Sequence, residues 1–212
     1  MSRLQTFNPE QLDEKMKELL ERIDNGLGIA PNLIKGLAVS PTVLESYILT
    51  SEALNNGILD RRLRKLIPLT VAEANKNSYC LRAFTGLGRI EGLSEKELMM
   101  SRNANSLDSR IKAGLRFALA IVKSQGRVTG DELQEVRDAG YSDSEIIEIT
   151  AHVGLNIFLN YFTEIAETPA GFPDVIDIES MMRGRSYDDI GTVEKDMREK
   201  RGSTAKNLAA EG

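Results

Sequence analysis

The sequence has no tryptophan, a single cysteine, Cys80, and a single histidine, His152. One cysteine excludes an intrachain disulfide, which makes the cytoplasm the expected compartment. One His and one Cys cannot close a zinc site, and the carboxylates lack the spacing of a calcium loop, so no metal is expected. No apolar run approaches the roughly 20 residues of a membrane span, and the first residues, MSRLQTFNPEQ, lack the apolar core of a signal peptide. No membrane association is expected. Positive charge is in deficit: 27 Lys and Arg stand against 32 Asp and Glu, a net charge of −5. There is then no broad positive field for nucleic acid, and a basic run such as Arg61 to Lys65 reads as a solvated helix face. No Gly-rich phosphate loop follows a strand, so no nucleotide cofactor is expected.

What is present is helical periodicity. The 212 residues are 41% apolar and 28% charged, the balance of a soluble globular protein with one main domain. Pro9 opens 9–28, where Leu12, Met16, Leu19, Leu20 and Ile23 recur at three- and four-residue steps. Pro31 and Pro41 suit first helical positions, where a proline loses no hydrogen bond. Asp60 can cap a helix whose stripe runs Leu63, Leu66, Ile67, Val71 and Ala74, with Pro68 inside it as a kink site. Ser94 with Glu97 and Ser142 with Glu145 carry the capping-box signature. They open helices near 94–103 and 142–167, with further helices at 108–126 and 129–140 between. No alternating strand pattern is found. After Thr168 the pattern breaks, and 176–212 has few large apolar residues and many charges. The expected organisation is a helical domain over 1–175 and a polar tail over 176–212.

The chemistry centres on 71-VAEANKNSYCLRAFTG-86. With Ser78 as cap, Cys80 falls in the first turn of a helix, where free N–H groups favour thiolate. The other reading of a lone cysteine among apolar residues is a small buried hydrophobe.

This stretch, the LG-x-x-x-GLSE segment after it, and the later EI-x-E-I-x-AHVGLNIFLNYF and FP phrases resemble the alkylhydroperoxidase D-like, peroxidase-related branch of the carboxymuconolactone decarboxylase family. The resemblance covers about 59–173. It implies an all-α fold, a bundle of about eight or nine helices with a polar C-terminal tail. It also implies a homo-oligomer, from trimer to hexamer. Active members reduce peroxides through a Cys-x-x-Cys pair, a glutamate upstream and a histidine four residues after the second cysteine. Carried over by position, the second cysteine is Cys80, the first falls on Asn77, the histidine on Phe84 and the glutamate on Lys65. The motif is degenerate at three of its four chemical positions.

Two functions remain. In the first, a thiol peroxidase of peroxiredoxin type works through Cys80 alone with a peroxide substrate and an external thiol reductant, since no second sulfur can resolve a sulfenic acid. Lys65 would lower the thiol pKa as a counter-charge, and Glu73 or His152 would act as base. In the second, catalysis is abandoned and the scaffold serves as a binding or assembly protein, with a small-molecule pocket made apolar by Phe84. Against the catalytic roles, Lys65 and Glu73 read as exposed helix residues and His152 as a buried, satisfied histidine. Asn156 and Asn160 follow His152 at four-residue steps, a polar stripe that lines a pocket or crosses a subunit interface.

Overall fold

Side-chain caps set most of the helix starts. The computed structural model describes residues 2–5, 18 and 31–169, so the expected helix at 9–28 and the tail at 176–212 lie outside the described residues. Among the described residues there are eight helices and no strand: α1 Pro31–Leu37, α2 Pro41–Asn55, α3 Arg61–Ala74, α4 Ser78–Ile90, α5 Glu95–Arg102, α6 Ser109–Ser124, α7 Gly130–Asp138 and α8 Asp143–Ala166. The all-α expectation holds for them. Asp60 caps α3 by accepting from the backbone N–H groups of Arg62 and Leu63. Ser94 with Glu97 and Ser142 with Glu145 form complete capping boxes at α5 and α8, and Thr129 with Glu132 forms a third at α7. Pro31 and Pro41 stand at the first positions of α1 and α2, while α3 continues through Pro68.

Helix α3 is the centre of the packing. It lies against α4, α5, α6 and α8. Leu63, Leu66, Ile67, Leu69, Val71 and Ala72 are each at most 2% exposed. Burying each large aliphatic side chain contributes about 1.5–3 kcal/mol, which sets this helix as the main source of cohesion. The approach of α6 to α3 depends on Gly114. A Cβ there would stand 2.7 Å from both Leu63 Cδ2 and Tyr141 Oη, closer than carbon tolerates.

Helix α8 carries apolar residues on both its buried and its exposed sides. Ile149, Val153, Asn156, Leu159 and Thr163 face inward, whereas Ile147, Tyr161 and Ile165 on the opposite side are exposed. Its inner face forms one wall of the cavity described next.

Candidate functional site

The first turn of α4 is held by an asparagine. Asn77, not Ser78, is the cap, and Ser78 is the first helical residue. The Asn77 side-chain oxygen accepts from the Cys80 backbone N–H at 2.8 Å. Its Nδ2 lies 2.9 Å from the Asn160 carbonyl, 3.1 Å from Thr163 Oγ1 and 3.2 Å from Glu164 Oε2. Two amide hydrogens thus serve three acceptors on α8, and the start of α4 is tied to the end of α8.

Cys80 lies beneath this knot and is 1% exposed. Its sulfur is 3.7 Å from Thr163 Oγ1. That hydroxyl also lies within hydrogen-bond range of the Leu159 and Asn160 carbonyls, to which only it can donate. Its single hydrogen so used, the thiol is the natural donor of the sulfur contact, an arrangement that suits S–H over S⁻. Burial pushes the Cys80 thiol up to about 11; the polar side chains of Thr163 and Asn160 offset part of that, and the Glu164 carboxylate adds to it. No cation is among the groups acting on the sulfur.

The carried-over partners are placed as follows. Lys65 Nζ meets Glu91 Oε1 at 2.6 Å, with both side chains about a third exposed. Its counter-charge is therefore a carboxylate at the surface. Glu73 is outside the cavity that Cys80 lines and pairs with Arg102 Nε at 2.5 Å, where the arginine side chain is 7% exposed. Phe84 packs against the core beside Cys80.

A cavity of about 100 Å³ opens between α2, α3, α4 and α8, with α1 contributing Leu33. Leu33, Leu54, Pro68, Phe84, Leu155 and Leu159 give it apolar walls. Tyr47, Ser51, Tyr79, Cys80, His152 and Asn156 supply its polar atoms. Arg64, Lys65 and Glu91 stand at the more exposed side. Cys80, His152 and Lys65 thus line one space, and Glu73 does not. The stripe on α8 divides: His152 and Asn156 face the cavity, and Asn160 accepts from Asn75 Nδ2 at 2.9 Å beside the start of α4.

His152 is buried, and burial pushes it down to about 4. The Arg64 guanidinium lowers it further, Glu148 and the Leu54 carbonyl oppose this, and Lys65 adds a small lowering. It is a neutral imidazole at neutral pH. Its Nε2 is buried without a hydrogen-bond partner. The turn between α2 and α3 that frames this end is fixed from two sides. Glu148 accepts the backbone N–H groups of Ile58 and Leu59 at 3.0 and 2.9 Å, a contact that leaves no room for a side chain at Gly57. Arg64 Nη1 donates to the carbonyls of Leu54, Asn55 and Gly57 and so closes the end of α2.

Tyr47, Tyr79 and Thr163 are absent from the sequence reading, since nothing in their local pattern marks a tyrosine or threonine as facing a cavity. Asn77 is different: an asparagine three residues before the first-turn Cys80 is a standard cap spacing.

Residues 41–123 match the model of the "Carboxymuconolactone decarboxylase family". No curated protein matches the sequence. Several solved structures share the fold. An alkylhydroperoxidase AhpD core, an uncharacterized peroxidase-related protein from Ralstonia eutropha JMP134, superposes with TM-score 0.70 at 23% identity over 87% of this chain and 97% of that one. A peroxidase-related protein from Silicibacter sp. TM1040 gives TM-score 0.67 at 22% identity over 79% and 89%. A cysteine-to-alanine variant of the debrominase Bmp8, in complex with 2,3,4-tribromopyrrole, gives TM-score 0.69 at 18% identity over 80% and 94%. At these identities the likeness is one of fold.

Proposed function

We propose that this chain, whose residues 41–123 match the model of the carboxymuconolactone decarboxylase family, is a member of that family that serves as a binding protein for a small, uncharged, largely apolar molecule held in the cavity beside Cys80. The observation that carries this reading is the state of the thiol: buried, pushed up to about 11, and without a cation. Peroxide attack requires a thiolate that peroxide can reach. A thiol at about 11 is almost wholly protonated at neutral pH, and Asn77 supplies no second sulfur. The cavity retains what binding needs: apolar walls, two aromatic hydroxyls, and a neutral imidazole whose Nε2 has no protein partner. Cavities on the order of 150 Å³ hold a single benzene ring, so this cavity of about 100 Å³ takes a ligand of that size or smaller. An unpartnered buried polar atom costs about 1–3 kcal/mol, so a ligand that hydrogen-bonds to His152 Nε2 recovers part of that.

The test compares Cys80 with free cysteine in a peroxide competition assay near neutral pH. The expected result is a thiol that reacts more slowly than free cysteine, while Cys80→Ala retains the fold and the binding of small aromatic probes. Sulfenic acid formed faster on Cys80 than on free cysteine, and recycled by an added thiol reductant, would establish the one-thiol peroxidase reading instead.

A further inference from the structure

Several polar atoms that line the cavity beside Cys80 are engaged with protein partners. The Cys80 thiol donates towards Thr163 Oγ1. Asn156 Nδ2 donates to the His152 carbonyl at 2.8 Å, so it does not serve the imidazole. The Tyr47 hydroxyl meets the Ser51 side chain, and the Tyr79 hydroxyl meets the Leu33 backbone. His152 Nε2 differs from these. It has no partner, on a residue that is 6% exposed and lines the cavity.

The tautomer of the ring decides what this atom can take. The Leu54 carbonyl favours the protonated imidazole, so it receives a ring N–H. Nε2 has no partner, which puts that hydrogen on Nδ1. The carbonyl is itself held by Arg64 Nη1 at 3.3 Å. Nε2 is then a bare lone pair, an acceptor that only a donor can match. Ethers, ketones and carboxylates bring acceptors and leave it unmatched.

The surroundings also exclude a charged donor. Burial, with the Arg64 and Lys65 cations, outweighs the Glu148 carboxylate at this ring and keeps a second proton off it. An ammonium group brought to the same place meets the same opposition. Size sets the remaining limit, since about 100 Å³ admits one small ring. A ring that fills the cavity displaces whatever water reaches Nε2, and affinity is lost when that bond is not remade.

We propose that the ligand of this cavity is a neutral molecule of one ring that carries an O–H or N–H donor, a phenol being the simplest example, and that this donor bonds to His152 Nε2. The proposal rests on the reading of the cavity as a binding site and adds the atom that selects the ligand.

The test uses the full chain with its histidine nitrogens isotope-labelled, so that His152 gives the only imidazole signals in the magnetic resonance spectrum. Phenol and fluorobenzene, two rings of nearly equal size, are titrated near neutral pH. The expected result is a free protein with the proton on Nδ1, and phenol binding about tenfold tighter than fluorobenzene. Phenol should move the Nε2 resonance upfield, as acceptance of a hydrogen bond does, and fluorobenzene should not. In His152→Leu, with helical circular dichroism unchanged, the preference for phenol should disappear while fluorobenzene still binds. The wild-type resonance tests the contact without any substitution. Equal binding of the two probes to the wild type, or tighter binding of phenol with the Nε2 resonance unmoved, overturns the proposal and leaves the cavity a binding site for another class of molecule. Binding of neither probe overturns the proposal together with the reading on which it rests.

Discussion

The Asn77 side-chain oxygen accepts the backbone N–H of Cys80 at 2.8 Å, so the residue at the first position of the motif is the cap of the helix that carries the second. Its amide nitrogen reaches three acceptors on α8 at the same time. Asn77→Cys would restore the spacing of a dithiol but remove the cap and the tie to α8. Loss of an N-cap costs about 0.5–2 kcal/mol, and buried partners left open add to it. The expected outcome is a loss of roughly 2–3 kcal/mol in denaturant unfolding. An Asn77→Cys protein as stable as the wild type would show that these bonds contribute little.

Alkaline stability should report the buried thiol. A cysteine ordinarily near 9 is held at about 11 in the fold, so between those values the folded state keeps a proton that the unfolded state has lost. Stability therefore falls as pH rises from 9 towards 11, by up to about 2–3 kcal/mol from this group. Tyr47 and Tyr79, each pushed up to about 12 first by burial, extend the loss in the same direction at higher pH. Cys80→Ala should flatten the slope between pH 9 and 11, as read from urea midpoints; an unchanged slope would place the titration elsewhere.

Acid stability should report His152 with the opposite sign. Its folded value of about 4 lies below the ordinary 6.5, so between these the unfolded chain binds a proton that the folded chain refuses. Stability is complete above about 6.5 and declines by up to about 3 kcal/mol as pH falls to 4. In His152→Gln this decline should shrink, leaving the fall that carboxylates produce. An identical acid limb in the variant would mean that the imidazole titrates as it does in the unfolded chain.

Gly114→Ala tests the closest helix approach in the core. The added carbon would stand 2.7 Å from Leu63 Cδ2 and Tyr141 Oη, both well packed. Overpacking of this kind costs about 1–3 kcal/mol, against a helix-propensity gain of up to about 1 kcal/mol. A net loss in thermal unfolding is expected, with helical content unchanged at low temperature.

The sequence exposed what is decided locally. The boxes Ser94–Glu97 and Ser142–Glu145, the Asp60 cap and the stripe of α3 each depend on residues a few positions apart, and the structure contains them all. The start of α4 was misread by one residue because Ser78 and Asn77 are both good caps, and only the backbone angles at 77 decide between them. The partners of the site lay beyond such reasoning. Lys65 is paired with Glu91, 26 positions away, and Glu73 with Arg102, 29 positions away. Which cation meets which carboxylate follows from how α3 packs on α4 and α5, a tertiary outcome that no short-range pattern records. The meeting of His152 with Cys80 around one cavity has the same origin.

The two sides of α8 have a joint consequence. One side supplies His152, Asn156 and Leu159 to the cavity, and the other carries the exposed side chains of Ile147, Phe158 and Tyr161. They are separated by one helix, about 10 Å across. Were a second molecule to seat on the outer side and tilt or slide that helix, the cavity would change with it, and occupation of the cavity would change that association. Thermodynamic reciprocity then fixes the relation: the factor by which a bound molecule strengthens association equals the factor by which association strengthens binding. Probe affinity measured against the concentration of that second molecule would read out that factor directly, and a value of one would mean that α8 is stiff enough to insulate its two sides.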